Sequence, residues 1–156
     1  IAGDGNSVIR TIGVKAADKA LADVNEVWTQ SEIDNGDAPD GTSANDPKLD
    51  AEGNQMITRG LKHNAIQKVK TQQAGYLAQT DWYIIRKADA GTAIPSNIQT
   101  WRNAIRTDAN EIETAITNAA DMNAFIALHN DTYKTVDGKQ VVDVIARVNR
   151  WTELGT

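Results

Sequence analysis

Cysteine is absent from the 156 residues, which excludes a disulfide framework, a thiolate zinc site and a thiol nucleophile. Aromatic residues are scarce, so the core is modest, although the four tryptophans can each bury roughly 150–250 Å². Long apolar runs are missing as well. None approaches the ~20 residues that span a bilayer, and no signal peptide pattern is read, so no membrane partner is expected. Basic charge is in the minority: 16 Lys and Arg against 21 Asp and Glu give a net charge of -5. That balance argues against nucleic acid as a partner of the whole molecule. His63 and His129 are the only histidines, with no acid spaced to complete a two-histidine metal site, and surface or capping roles are expected for both.

What the chain does contain is centred on residues 56–116. Two helix-length apolar patterns flank Ala90-Gly91-Thr92-Ala93-Ile94-Pro95. On the first arm, about Gln55 to Asp89, the residues Ile57, Leu61, Val69, Tyr76, Leu77 and Tyr83 fall near one helical face, and Gly75 offers a place to bend. On the second, Ser96 to about Ala119, a single apolar stripe of Ile98, Trp101, Ile105, Ile112 and Ile116 recurs at helical spacing. Gly91 accepts the left-handed conformation that ends a helix, and Pro95 suits the first turn of the next. Gly91, Ile94 and Pro95 are therefore the expected hinge of a central antiparallel helical hairpin. Charge favours the same arrangement. No acid lies between Glu52 and Asp81 and no Lys or Arg between Arg106 and Lys134, so folding back sets Lys68 and Lys70 near Glu111 and Glu113.

The flanks are more irregular. Residues 1–33 read as an extended N-terminal arm, with a short strand at Val8, Ile9, Ile12 and Val14, followed by a helix over 16–33 that puts Ala17, Leu21, Val24, Val27 and Trp28 on one face. Residues 34–47 read as a flexible acidic Gly/Asp/Pro-rich linker without a large apolar residue, to be fixed from outside or left mobile. Lys48 to Asn54 is expected to open the next helix, with Asp46 as N-cap and Pro47 at the first position, so the hairpin region spans 48–119. Gly53 and Gly60 weigh against that start by about 1 kcal/mol each. Residues 120–156 read as a C-terminal helical segment, opening with a short helix over Met122 to His129 capped by Asp121. Thr135 to Val141 fits a strand hairpin turning at Asp137-Gly138. Val141, Val142, Val144, Ile145, Val148 and Trp151 fit a final helix at least as well, and the helix is preferred. The expected fold class is mainly α.

Motifs that carry chemistry are few. Ser7, Ser31, Ser43 and Ser96 lack a His-acid partner or a nucleophile elbow. Gly3-x-Gly5 lacks the third glycine of a dinucleotide loop. Asp34, Asp37 and Asp40 fall three apart, without the alternate ligands and closing Glu of a calcium loop, so a solvated segment is favoured over a calcium site. No catalytic residue, metal or cofactor is expected. The densest aromatic stretch is Thr80-Asp81-Trp82-Tyr83-Ile84-Ile85-Arg86. In one reading Trp82 and Tyr83 pack against Trp101 and Ile98 near the turn, with Asp81 bonded to Arg102 or Arg106. In the other, Trp82, Tyr83, Arg86, Trp101 and Arg102 form a partner-binding surface, because Trp, Tyr and Arg anchor interfaces.

Leu77 to Lys87, with its Thr-Asp-Trp-Tyr, then Gly91-Thr92-Ala93-Ile94-Pro95, then Trp101-Arg102 and Ile105-Arg106, resembles a helical-hairpin module of tailed bacteriophages. That module recurs in tail-fibre assembly proteins and tail-associated proteins, and the likeness covers roughly Leu61 to Ile116. It implies a non-enzymatic virion structural protein of the tail or tail-fibre apparatus, made in the bacterial host cytoplasm and retained in the virion tail. The implied partners are other phage tail or fibre proteins, in a homo-oligomer or a larger assembly. A tail-fibre assembly chaperone that leaves the finished particle is the alternative. The resemblance brings no catalytic residue with it.

Overall fold

The computed structural model describes residues 20–155. The strand expected at 8–14 and the arm before it lie outside the described residues, as does the start of the helix expected over 16–33. Contacts divide the chain into two compact units, Ile1–Asn64 and Ala65–Thr156. Among the described residues these contain five α-helices and two small antiparallel sheets, a mainly α fold.

Backbone hydrogen bonds, rather than an apolar core, shape the first unit; among its described residues only Gly60 is buried. Strand β1 (Val24–Asn25) pairs antiparallel with β2 (Ile57–Thr58), and the ladder continues from the Glu26 N–H to the Met56 carbonyl at 2.9 Å. The helix expected over 16–33 is accordingly replaced, in its described part, by pairing of β-branched residues, and α1 is confined to Gln30–Asp34. Thr29 and Glu32 start it with a reciprocal capping box. Residues 34–47 are tied to Trp28, which lies outside them, one of the two outcomes expected for this segment. The Trp28 N–H donates to the Asp46 carbonyl and the Asn45 N–H returns to the Trp28 carbonyl, both at 2.9 Å, which closes the segment into a loop.

No helix opens at Pro47. The Asp46 carboxylate accepts the Ser43 N–H at 2.7 Å instead of capping, and Leu49 bridges to Gln55. Between them the Asp50 carboxylate accepts the N–H groups of Glu52 and Asn54, and Gly53 sits at φ 86. Side-chain bonds of this kind offer the backbone an alternative to helix. Gly60 then allows a close approach that no other residue permits: a Cβ there would lie 2.3 Å from the Ala22 carbonyl oxygen.

Helix α2 (Leu61–Ala78) begins directly after Gly60, runs through Gly75 and stops at Gln79-Thr80. The long first arm is thus two helices, broken five residues beyond the glycine where a bend was expected. In the second unit α3 (Asp81–Ala90), α4 (Ser96–Asn118) and α5 (Met122–Ala127) follow. The apolar stripe of α4 is the core: Ile98, Trp101, Ile105, Ile112 and Ile116 are all buried, joined by Ala109 of the same helix and by Val69, Ala119, Phe125 and Ala146. Each fully buried isoleucine contributes about 1.5–3 kcal/mol relative to exposure. The pairing of Lys68 and Lys70 with Glu111 and Glu113 is not made; Glu111 instead receives Arg147 at 2.8 Å.

Asp121 caps α5 through the Ala124 N–H at 2.8 Å. Beyond it the chain is not helical. Strands β3 (Thr132–Val136) and β4 (Lys139–Val144) form an antiparallel hairpin around Asp137 and Gly138, at φ 50 and 74. Two central residues with positive φ make the turn that suits strand twist, and Asp-Gly followed by a valine-rich run outweighs the helical spacing of Val141 to Trp151. A 3-10 turn (Arg147–Asn149) then leads to Trp151, whose ring lies 5.1 Å from that of Tyr76.

Candidate functional site

The Thr-Asp-Trp-Tyr stretch sits where α2 gives way to α3. Neither Gln79 nor Thr80 is a helix breaker; the break is held by Arg102 of α4. Its Nη1 donates to the Leu77 carbonyl at 2.8 Å and to Thr80 Oγ1 at 2.7 Å, while Nη2 donates to Asp81 Oδ1 at 2.9 Å. One guanidinium therefore joins the Leu77 carbonyl, which also accepts the Thr80 N–H at 3.1 Å, to an acid in the first turn of the next helix. Arg102 is 5% exposed, and Asp81 remains largely in solvent.

On α3 the aromatic residues lie outside this anchor. The Trp82 and Tyr83 rings stack with centroids 3.8 Å apart, and the Arg86 guanidinium covers both, 4.7 Å from the first centroid and 5.4 Å from the second. Arg86 Nε is buried without a hydrogen-bond partner, and the guanidinium lies within cation–π range of both rings. Trp82 is 49% exposed and Ile85 67%, with Ile84 exposed beside them, and α3 has no buried residue. This is a preformed aromatic-arginine surface with apolar flanks.

The five residues expected at an interface thus separate. Trp82, Tyr83 and Arg86 form one cluster. Trp101 and Arg102 face the interior: Trp101 is 5% exposed and its Nε1 donates to the Thr152 carbonyl at 2.9 Å. The expected packing of Trp82 on Trp101 is absent among the described ring contacts, while the expected Asp81–Arg102 bond is present. At the hinge, Gly91 ends α3 in the left-handed conformation at φ 67, with its N–H on the Lys87 carbonyl. Pro95 stands one position earlier than expected, as the N-cap of α4, and Ile94 before it is half-buried.

Other candidates have found structural partners. His129 Nδ1 lies 2.9 Å from the Phe125 carbonyl, and His63 Nδ1 lies 4.0 Å from Asp23 in the first unit. No group of three or more His, Cys, Asp or Glu that could hold a metal occurs among the described residues, Asp34, Asp37 and Asp40 included. No helix among the described residues is long and apolar enough to cross a membrane. An open cleft of about 500 Å³ is lined by Asp108, Glu111, Arg147, Arg150 and Trp151. Several of its charges are engaged, Glu111 with Arg147, Asp108 with the Thr152 N–H at 2.7 Å and Arg150 with the Ile145 carbonyl at 2.8 Å, while Glu153 also lines it. The β3–β4 hairpin, exposed along its whole length, is a surface that sequence reasoning missed, because the spacing of its valines also suits a helix. No family model, curated protein or solved structure matches the chain.

Proposed function

We propose that this chain is a non-enzymatic structural protein of a bacteriophage tail or tail-fibre apparatus, acting through subunit contacts. The reading starts from the phage-like hairpin stretch, and one observation carries it: Trp82, half in solvent, is stacked on a partly covered Tyr83 under Arg86, on a helix whose start is tied by the buried Arg102. Rigid aromatic and arginine anchors lose little entropy on docking. In this reading α3 and α4 turn back on each other about Gly91 and Pro95 as an antiparallel hairpin, and Arg102 reaching the α2–α3 corner supports that arrangement. Neighbouring tail or fibre subunits are the partners.

The same α3 face supports a second reading, an assembly chaperone. Trp82 and Ile85, one helical turn apart, are uncovered apolar side chains suited to holding a fibre end transiently. Mass spectrometry of purified virions separates the two. The structural role requires the chain at fixed stoichiometry in finished particles. Its presence in infected cells but absence from virions supports the chaperone, and absence from infected cells removes both.

A further inference from the structure

The β3–β4 hairpin is a sheet of two strands in which every residue is exposed. Isolated pairs of this kind are marginal in water, and both outer edges present unpaired backbone groups. Tyr133, Val136, Val141, Val142 and Val144 all stand in solvent. We propose that this hairpin completes itself against a second copy of the chain, β4 pairing with β4 across a two-fold axis at Val141. The proposal does not depend on the phage reading.

Register and charge select that arrangement. In a two-residue hairpin the closing pair, Val136 and Lys139, exchanges its backbone bonds, and so does the next but one, Lys134 and Val141. The groups of β4 that face outward are therefore those of Gln140 and Val142. An antiparallel neighbour must meet them with its own outward groups. Symmetric pairing then sets Gln140 against Gln140, Gln140 against Val142, or Val142 against Val142. Only the middle register places Lys139 opposite Asp143, and the two-fold makes that ion pair twice while stacking Val141 on Val141. Lys139 has no side-chain partner among the described residues. Asp143 is the extra residue where the register steps from Tyr133–Val142 to Thr132–Val144; it holds Lys134 through Oδ1 at 2.9 Å, and its carboxylate can accept further donors. The β3 edge has no equivalent: each of its registers leaves Lys134 without an acid opposite, and one sets it against itself.

Sedimentation of the full chain tests this. The wild type is expected to form a dimer that Lys139→Asp and Asp143→Lys each abolish. An equimolar mixture of the two variants is expected to restore it, because in the mixed dimer both cross-strand pairs again set an acid against a base. Backbone amide exchange provides the check that does not rely on variants folding: the Gln140 and Val142 amides are protected in the dimer and exchange freely on dilution to monomer. A wild type that stays monomeric up to its solubility limit overturns the proposal. So does a dimer whose Gln140 and Val142 amides remain unprotected, which would place the contact elsewhere, for instance on Trp82.

Discussion

The two units keep their shape by different means. In the second, a stripe of isoleucines on α4 is withdrawn from water, and the polar contacts are arranged around that stripe. In the first, nearly every fixed geometry traces to a carboxylate or carbonyl receiving N–H donors. Asp23 holds the Gly60 N–H and Arg59, Glu32 holds Lys48 and Thr29, and Asp50 holds Asn54. The carboxyls register the difference. Three in the first unit are held below their usual range: Asp23 chiefly by the Gly60 N–H, Asp50 chiefly by the Asn54 N–H, and Glu32, chiefly by Lys48, down to about 2. A unit built on ionised acceptors should fail where they are protonated, and a unit built on apolar burial should not.

That contrast can be broken from either side. The largest effect is expected from Ile112→Ala in the α4 stripe, at about 2–5 kcal/mol, read as a fall in the denaturant midpoint of the second unit. Gly60→Ala is the counterpart in the first. Its Cβ would strike the Ala22 carbonyl, and the backbone shift it forces is expected to cost about 1–3 kcal/mol, read as loss of amide protection at Val24 and Thr58.

Acid separates the units without mutation. Glu32 has a folded pKa near 2 against an ordinary 4.5, so its stabilising contribution is complete above 4.5 and is lost as the pH falls through 2. Over that interval the Trp28 indole resonance, beside Lys48, should move while the methyl resonances of Ile105, Ile112 and Ile116 hold still. Movement of both sets together would remove the distinction. The smallest change is expected at the exposed end of the Arg102 cluster: Asp81→Asn should cost under about 1 kcal/mol, because a largely solvated acid gains little from its partner. Arg102→Ala, which removes three hydrogen bonds from a buried guanidinium and leaves the Thr80 hydroxyl bonded only to the Leu77 carbonyl, should cost about 1–3 kcal/mol in the same thermal unfolding series.

The same contrast explains which parts of the fold are legible in the sequence. Ile98 to Ile116 repeat with the period of a helix, and every member of that stripe is buried. Gly91 and the Asp121 cap are single-residue signals with one dominant geometry, and both appear where they are expected. In the first unit the helical spacing read over 16–33 is not followed in its described part, where Val24 and Asn25 pair as a strand. Its turns depend on individual bonds to Asp46 and Asp50, and the Asp46-Pro47 cap signal makes Lys48 to Asn54 look like a helix start. Val141 to Trp151 carries two compatible patterns, and weighting helical spacing overrides the Asp-Gly turn that decides the matter. At the candidate site the Asp81–Arg102 pair is legible from spacing across the hinge. That Arg102 also takes Thr80 and the Leu77 carbonyl is not, because nothing in Gln79-Thr80 announces a corner.

That corner has a consequence for the order of events as the polypeptide acquires its shape. With no glycine or proline between Ala78 and Asp81, the corner is closed locally by the Thr80 N–H on the Leu77 carbonyl and tied from downstream by the Arg102 guanidinium. A fragment ending before residue 96 keeps the first tie and lacks the second, so the aromatic surface beside the corner is expected to hold its orientation less firmly until α4 is in place.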